Sequence, residues 1–204
     1  MFHVEKLGYD NIEELLDIMR EKAKWLIKND RGMWDISKLN KEAIIQRYDY
    51  PELFVSYENK NKVGGFLLIE YDKKYWKENR DEKAYYLHKF VVKTGFGGKG
   101  YSQRMLEWIK DYGKENGKQY IRLDYYKNRT YLRNLYLRHG FNDVEELETE
   151  NGEIMIKGEY KIYKVCISPR RPGSATTNHA VLQLTHGLHC AHCIWLFEYW
   201  LLDI

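Results

Sequence analysis

Hydrophobic positions in the first 164 residues switch between two periods. From Asn11 to Asn29, apolar residues fall at Ile12, Leu15, Leu16, Met19, Ala23, Leu26 and Ile27, the spacing of a helix with one buried stripe. Leu39–Tyr48 predicts a second helix, with Ala43, Ile44 and Tyr48 on one side. Met105, Leu106, Ile109 and Tyr112 give Ser102–Lys114 the same helical period. Arg129–His139 predicts a further helix. Phe2–Leu7, Leu53–Tyr57, Lys62–Tyr71, Ala84–Lys93 and Tyr120–Tyr126 have the length and apolar content of strands. Two hairpins are expected, one turning at Glu58-Asn59-Lys60-Asn61. The other joins Phe141–Glu148 to Glu153–Ile162 through Asn151-Gly152. The resulting order, β-α-α-β-β-β-α-β-α-β-β, predicts an α/β (α+β) fold: a central mixed β-sheet flanked by helices. Parallel pairing is expected where a helix connects two strands.

Composition changes this picture at one place. The 204-residue chain is 44% hydrophobic and 15% aromatic, enough for a real core and too much for global disorder. Its net charge of +3 is too mild for a nucleic-acid binder. No apolar run has the length of a membrane helix, and acids occupy the positions where a signal peptide would be apolar. A cytoplasmic location is therefore expected. Lysine, however, recurs through 1–164 and is absent from 165–204, whereas all three cysteines (Cys166, Cys190, Cys193) fall in that last stretch. Ser168-Pro-Arg-Arg-Pro-Gly-Ser174 marks the join. We read 1–164 as the domain and 165–204 as a compositionally distinct C-terminal appendage, foreign to it in character. Its His186, His189, Cys190, His192 and Cys193 are zinc-type ligands, but crowded into one cluster without a second pair, so no metal site is assigned. Its end, Ile194–Ile204, is apolar enough to dock on a partner.

The segment with chemical content is Tyr86–Tyr101, YLHKFVVKTGFGGKGY. A strand feeds a loop holding Gly95, Gly97, Gly98 and Gly100, and the loop opens a helix. Glycines bring successive amides close to a ligand, and a helix N-terminus adds free N–H groups and positive dipole, which suits phosphate oxygens. Lys99 and Arg104 could add charge. The P-loop pattern is excluded because Tyr101, not Lys, follows Gly100.

The run from Val92 to Ser102 resembles the acyl-CoA-binding signature of the GNAT N-acetyltransferase superfamily. Counted from Val92, the family's Arg/Gln position falls on Gly97, its central glycine on Gly100 and its last small residue on Ser102. A second block supports the likeness: Leu123-Asp124-Tyr125-Tyr126-Lys127-Asn128, then Leu132, Leu135-Tyr136 and Gly140-Phe141. The resemblance implies an enzyme that moves an acetyl group from acetyl-CoA to a primary amine, here of a small molecule, by direct attack without a covalent enzyme intermediate. It also implies residue roles. The backbone of Phe90, Val91 and Val92 would pair with the pantetheine arm. Amides in the Gly97, Gly98, Lys99, Gly100, Tyr101 and Ser102 run would receive the pyrophosphate. Asn128, also a suitable helix N-cap, would contact the cofactor. Tyr136 would protonate the departing thiolate. Substitution of the family's Arg/Gln by Gly97 leaves that pyrophosphate contact without its usual side chain.

The base that accepts the amine's proton has three candidates on central strands: Glu70, His88 and Asp124. His88 is preferred because an imidazole can take up and release a proton near neutral pH and because it is expected to share a strand face with Phe90 and Val92. The acceptor side is expected near Trp25, Arg31, Met33, Trp34 and Asp35, with Trp34 walling a slot. Three other functions compete with the enzyme: a non-catalytic acyl-CoA sensor, a protein or peptide N-acetyltransferase, and an interaction or metal-responsive role for the tail. The expected partners are acetyl-CoA and an amine, with no nucleic acid and no membrane. Homodimerisation is left open.

Overall fold

A computed structural model describes residues 1–163 apart from residue 49 and residues 80–82. The break at 165, the His186–Cys193 cluster and the apolar end all lie outside the described residues. Seven strands form one sheet. From one edge to the other they are β1 (Phe2–Leu7), β2 (Glu52–Glu58), β3 (Asn61–Ile69), β4 (Ala84–Val92), β5 (Tyr120–Tyr126), β7 (Ile154–Lys161) and β6 (Asn142–Glu148). The helices are α1 (Ile12–Lys28), α2 (Lys41–Arg47), α3 (Tyr101–Glu115) and α4 (Thr130–Arg138). Each expected element is present, with ends shifted by a few residues. Among the described residues no helix is long and apolar enough to cross a membrane.

Helices cover both faces of the sheet. On one, α1 buries Leu15, Leu16, Met19 and Ala23 in a cluster with Leu53, Val55, Leu67 and Tyr86. On the other, Met105, Leu106 and Ile109 of α3 join Phe54, Phe66, Tyr85 and Leu123. The α1 stripe is rotated from its expected position. Ile18 is buried with Leu39 and Ile44, which pack on that side, while Ile27 at the opposite margin is 52% exposed. The α2 helix is shorter than expected because Asn40 caps it, accepting from the Ala43 amide at 2.8 Å, and Tyr48 leaves the helical conformation.

The expectation of parallel pairing across helices holds only for β4 and β5, joined by α3. The β1 strand pairs antiparallel with β2. Two helices separate them rather than one, so the chain reverses once more before re-entering the sheet. Nor does β6 pair with β5 across α4; β7 lies between them, antiparallel to both. Polarity accounts for this order. Met155, Ile156, Lys157 and Gly158 of β7 are buried, whereas β6 carries Asp143, Glu145, Glu146 and Glu148 and is exposed almost throughout. Charge on the outermost strand also blunts that edge.

Two glycines in β3 set the spacing of the central layers. A Cβ on Gly64 would lie 2.5 Å from the Val91 carbonyl oxygen and 2.9 Å from Met105 Cε. One on Gly65 would lie 2.5 Å from Leu15 Cδ1 and 2.6 Å from the Phe54 carbonyl oxygen. The sheet admits a helix on each side at this point because neither residue has a side chain.

Candidate active site

The site begins where the middle of the sheet parts. Pairing of β4 with β5 covers Ala84–Leu87 and Tyr120–Leu123 and then stops, while β4 continues to Val92 on β3. The rest of β4 therefore presents an edge to an open gap. Within it the register against β3 slips by one residue between the Gly65–Val91 and Leu67–His88 pairs, and Lys89 sits at φ 53°. This is a β-bulge, which inserts one residue and resets the alternation of side chains. His88 accordingly lies on the α1–α2 face, its ring 5.0 Å from that of Tyr48. Phe90 and Val92 pack instead with the α3–α4 cluster. The expected shared face of His88, Phe90 and Val92 is thus corrected by the bulge, which lets consecutive residues His88, Lys89 and Phe90 all line one cavity.

That cavity has a volume of about 540 Å³, within the usual range for small-molecule and cofactor sites. Its floor at one end is the glycine loop. Gly95, Gly98 and Gly100 have φ of 83°, 74° and 73°, and Gly100 is the N-cap of α3. No acidic residue stands in the first turn of α3 and no side chain caps it. Among the described residues, the Gly97, Gly98 and Gly100 amides find no backbone acceptor. A Cβ placed on Gly97, Gly98 or Gly100 meets nothing within 4 Å. Open space beside unsatisfied amides at a helix N-terminus fits a pyrophosphate.

Of the candidate residues, Tyr136, His88, Phe90, Val91 and Val92 line the cavity, as do Gly97, Gly98, Gly100, Tyr101 and Ser102. Two expected cofactor contacts do not. Lys99 is not among the lining residues, and its ammonium lies 5.3 Å from the Phe96 ring centroid. Asn128 is exposed on the turn after β5, and Arg129, not Asn128, occupies the N-cap of α4 without a side-chain capping bond. Arg104 is likewise held away, on Glu58 at 2.5 Å. Glu70 pairs with Lys118 at 2.6 Å and is 69% exposed, so it drops out as a base. On the acceptor side Met33 and Trp34 reach the cavity, while Trp25, Arg31 and Asp35 do not line it. Arg129 ties this loop to α4, donating to the Gly32 carbonyl at 2.7 Å.

Asp72, just after β3, had no signal in the sequence. It is 1% exposed and its Oδ2 lies 3.4 Å from His88 Nε2. On the other side of the ring, Asp124 Oδ1 lies 3.9 Å from Nδ1. None of the three facing atoms Asp72 Oδ2, His88 Nε2 and Asp124 Oδ1 completes a hydrogen bond. The two acids differ in character. Burial raises the pKa of Asp124 above the usual carboxylate range, and Asp72 adds to the rise against the pull of His88. Burial also opposes ionisation of Asp72, but His88 and the Lys74 and Tyr75 amides outweigh it and hold that pKa low. The ligand atoms of Asp72, His88 and Asp124 lie within 4.8 Å of one another, a spacing that suits an imidazole held between acids and would also admit a cation.

Tyr136, 6% exposed, packs on Tyr125 and Phe141 with centroids 5.5 and 5.7 Å away. Its hydroxyl makes no hydrogen bond to the described chain. Burial raises its pKa, with the Asp124 charge adding to the rise, so it stays protonated at neutral pH.

A mixed sheet parted beside a glycine loop and a helix N-terminus is the architecture of the GNAT fold. The sequence profile of the acetyltransferase (GNAT) family matches residues 12–141, and the chain belongs to that family. It is 27% identical over 141 residues to the uncharacterized N-acetyltransferase YesJ of Bacillus subtilis, covering 65% of this chain and 77% of that protein. A GNAT-family acetyltransferase from Listeria monocytogenes superposes with a TM-score of 0.61 at 22% identity, covering 78% of this chain and 94% of that one. PaiA N-acetyltransferase from Thermoplasma acidophilum, solved in complex with coenzyme A, gives 0.57 at 16% identity, covering 79% and 99%. At these identities the likeness to solved structures speaks for the fold alone.

Proposed function

We propose that the protein transfers an acetyl group from acetyl-CoA to a primary amine of a small molecule by direct attack. The observation that carries this reading is the convergence of the free β4 edge, the glycine loop, Tyr136 and the His88–Asp124 pair on one cavity. Acetyl-CoA supplies the activated acyl group. The exposed backbone of Phe90–Val92 would hold its pantetheine arm, and the loop amides its pyrophosphate. No side chain from Gly97 assists, so the amides carry that contact alone.

His88 would act as the base. With Asp72 ionised and facing Nε2, the ring keeps its proton there and offers the Nδ1 lone pair toward Asp124 and the cavity. The ammonium form of the acceptor gives up one proton to Nδ1. The freed nitrogen pair forms the C–N bond to the acyl carbon as the C–S bond breaks, Tyr136 gives its hydroxyl proton to the leaving sulfur, and the nitrogen then loses its second proton to water to leave the neutral amide. Both residues then exchange protons with water.

Thiol release from acetyl-CoA, followed with a panel of primary amines, tests the reading. Amine-dependent release is expected, and Tyr136→Phe should lower kcat by about 10²-fold with the KM for acetyl-CoA within about twofold. His88→Ala should remove the neutral-pH limb of the rate profile. Binding of acetyl-CoA with no release on any amine would replace the enzyme by a sensor on the same fold.

A further inference from the structure

The acceptor end of the cavity carries cations that the proposed transfer does not use. Lys22 of α1, Arg47 at the end of α2, Lys74 after β3 and Lys89 on the bulge all line it. They come from four separate elements. Several other basic groups pair closely with acids, as Lys62 with Glu14 at 2.9 Å and Lys157 with Glu145 at 2.8 Å. None of the four cavity cations forms an ion pair among the described residues. Each rests on a ring instead: Lys22 on Trp25 (4.5 Å), Arg47 on Tyr48 (5.2 Å), Lys74 on Tyr75 (4.9 Å) and Lys89 on Trp34 (5.3 Å). A face-on ring orients a cation without neutralising it. The cluster is also under electrostatic load: burial, with repulsion from Arg47 and Lys38, pushes the Lys89 pKa down to about 8. An anion is the ligand that would relieve it.

From this arrangement we infer that the acceptor is an amine bearing an oxyanion, a carboxylate or phosphate, which the Lys22, Arg47, Lys74 and Lys89 end of the cavity receives while the amine faces His88 and Asp124. The inference rests on the acyl-transfer reading and narrows its substrate class. The donor's pyrophosphate does not call for these cations, because the glycine-loop amides and the open space beside them suit it without a side chain. Nor does the cluster suit a polyamine, whose second ammonium would meet like charge. Arg47 is the best single probe. It is exposed, so its removal does not disturb the core, and together with Lys74 it is close enough to Asp124 to favour that acid's ionised form.

The test compares matched amines with the full-length protein: 2-aminoethyl phosphate and β-alanine against ethanolamine and spermidine. The two oxyanion amines distinguish a phosphate from a carboxylate. We expect kcat/KM for at least one of them to exceed that for ethanolamine by about tenfold or more, with spermidine poorest. Arg47→Ala should abolish the preference through the acceptor KM, leave the KM for acetyl-CoA unchanged, and be partly rescued by Arg47→Lys. Equal or better turnover of ethanolamine or spermidine overturns the inference while leaving acyl transfer standing, as does an Arg47→Ala protein with its preference intact. If no amine releases thiol, titration of 2-aminoethyl phosphate, β-alanine and ethanolamine onto CoA-saturated protein decides. Selective binding of either oxyanion amine upholds the site although acyl transfer has failed, and equal binding of all three refutes it.

Discussion

Asp72 and Asp124 approach one imidazole from opposite sides, and their protonation is driven in opposite directions. Asp72 keeps its charge because two backbone amides and His88 compensate its burial. Asp124, without a completed hydrogen bond at Oδ1, holds its proton more tightly in the fold than in the unfolded chain, where an aspartate titrates near about 3.9. The linkage follows by sign. The Asp72 contribution is present above the unfolded value and disappears as pH falls through its lower folded value. Ionisation of Asp124 instead removes stability as pH rises from about 3.9 toward its higher folded value. Asp124→Asn should therefore raise the Tm at neutral pH while lowering turnover, and its advantage should shrink as the solution is acidified. Asp72→Asn should lower the Tm at neutral pH. Thermal melts across pH check both, and a shift of the same sign for the two variants would contradict this account of the pair. His88 could be singled out from sequence because a strand histidine beside a glycine loop carries chemistry. Asp72 could not, since its role depends on a contact made across the sheet by a residue in an unremarkable loop.

At the scale of elements, the helices and strands were readable because each has a strong period, and α3 in particular has Met105, Leu106 and Ile109 on one side. What escaped was the order and phase of strands. The place of β7 inside β6 is set by a comparison of two strands' polarity, which neither strand shows alone. The bulge at Lys89 was hidden because a lysine occupies its positive-φ position, where glycine or asparagine would have been a signal. The period-2 expectation therefore ran on through Phe90 and put Phe90 and Val92 on the same face as His88. Gly64 and Gly65 looked like ordinary glycines in a strand until α1 and α3 were seen pressing on them. Gly64→Ala should cost about 1–3 kcal/mol, since its Cβ would meet the backbone oxygen of Val91. Chemical denaturation reads this directly, and an unchanged midpoint would mean that β3 and α3 can separate without loss.

For the whole molecule, one interruption in the sheet serves both halves of the site. Where β4 leaves β5, the α3–α4 face contributes Phe90, Val92 and Tyr136 to the cavity, and the α1–α2 face contributes His88 and Asp124, with Lys22, Arg47, Lys74 and Lys89 also lining it. The gap joins them, so a donor laid along β4 and an acceptor entering past Trp34 would meet between Tyr136 and His88. The glycine-loop and Tyr136 walls of the cavity were legible from two motifs, Val92–Ser102 and Leu123–Phe141, because a tight turn into a helix N-terminus needs glycines at fixed spacing. Lys99 and Asn128 do not line the cavity, and the motif spacing could not show this because side-chain direction in a turn is set by neighbours such as Phe96. The acceptor half was nearly silent in sequence, as its four cations come from separate elements. Co-crystallisation with CoA tests the central claim most directly. The account predicts density for the pantetheine beside Phe90–Val92, the pyrophosphate on the amides of residues 97–102 and the sulfur next to Tyr136. CoA bound away from the β4–β5 gap, or none at saturating concentration, would contradict it.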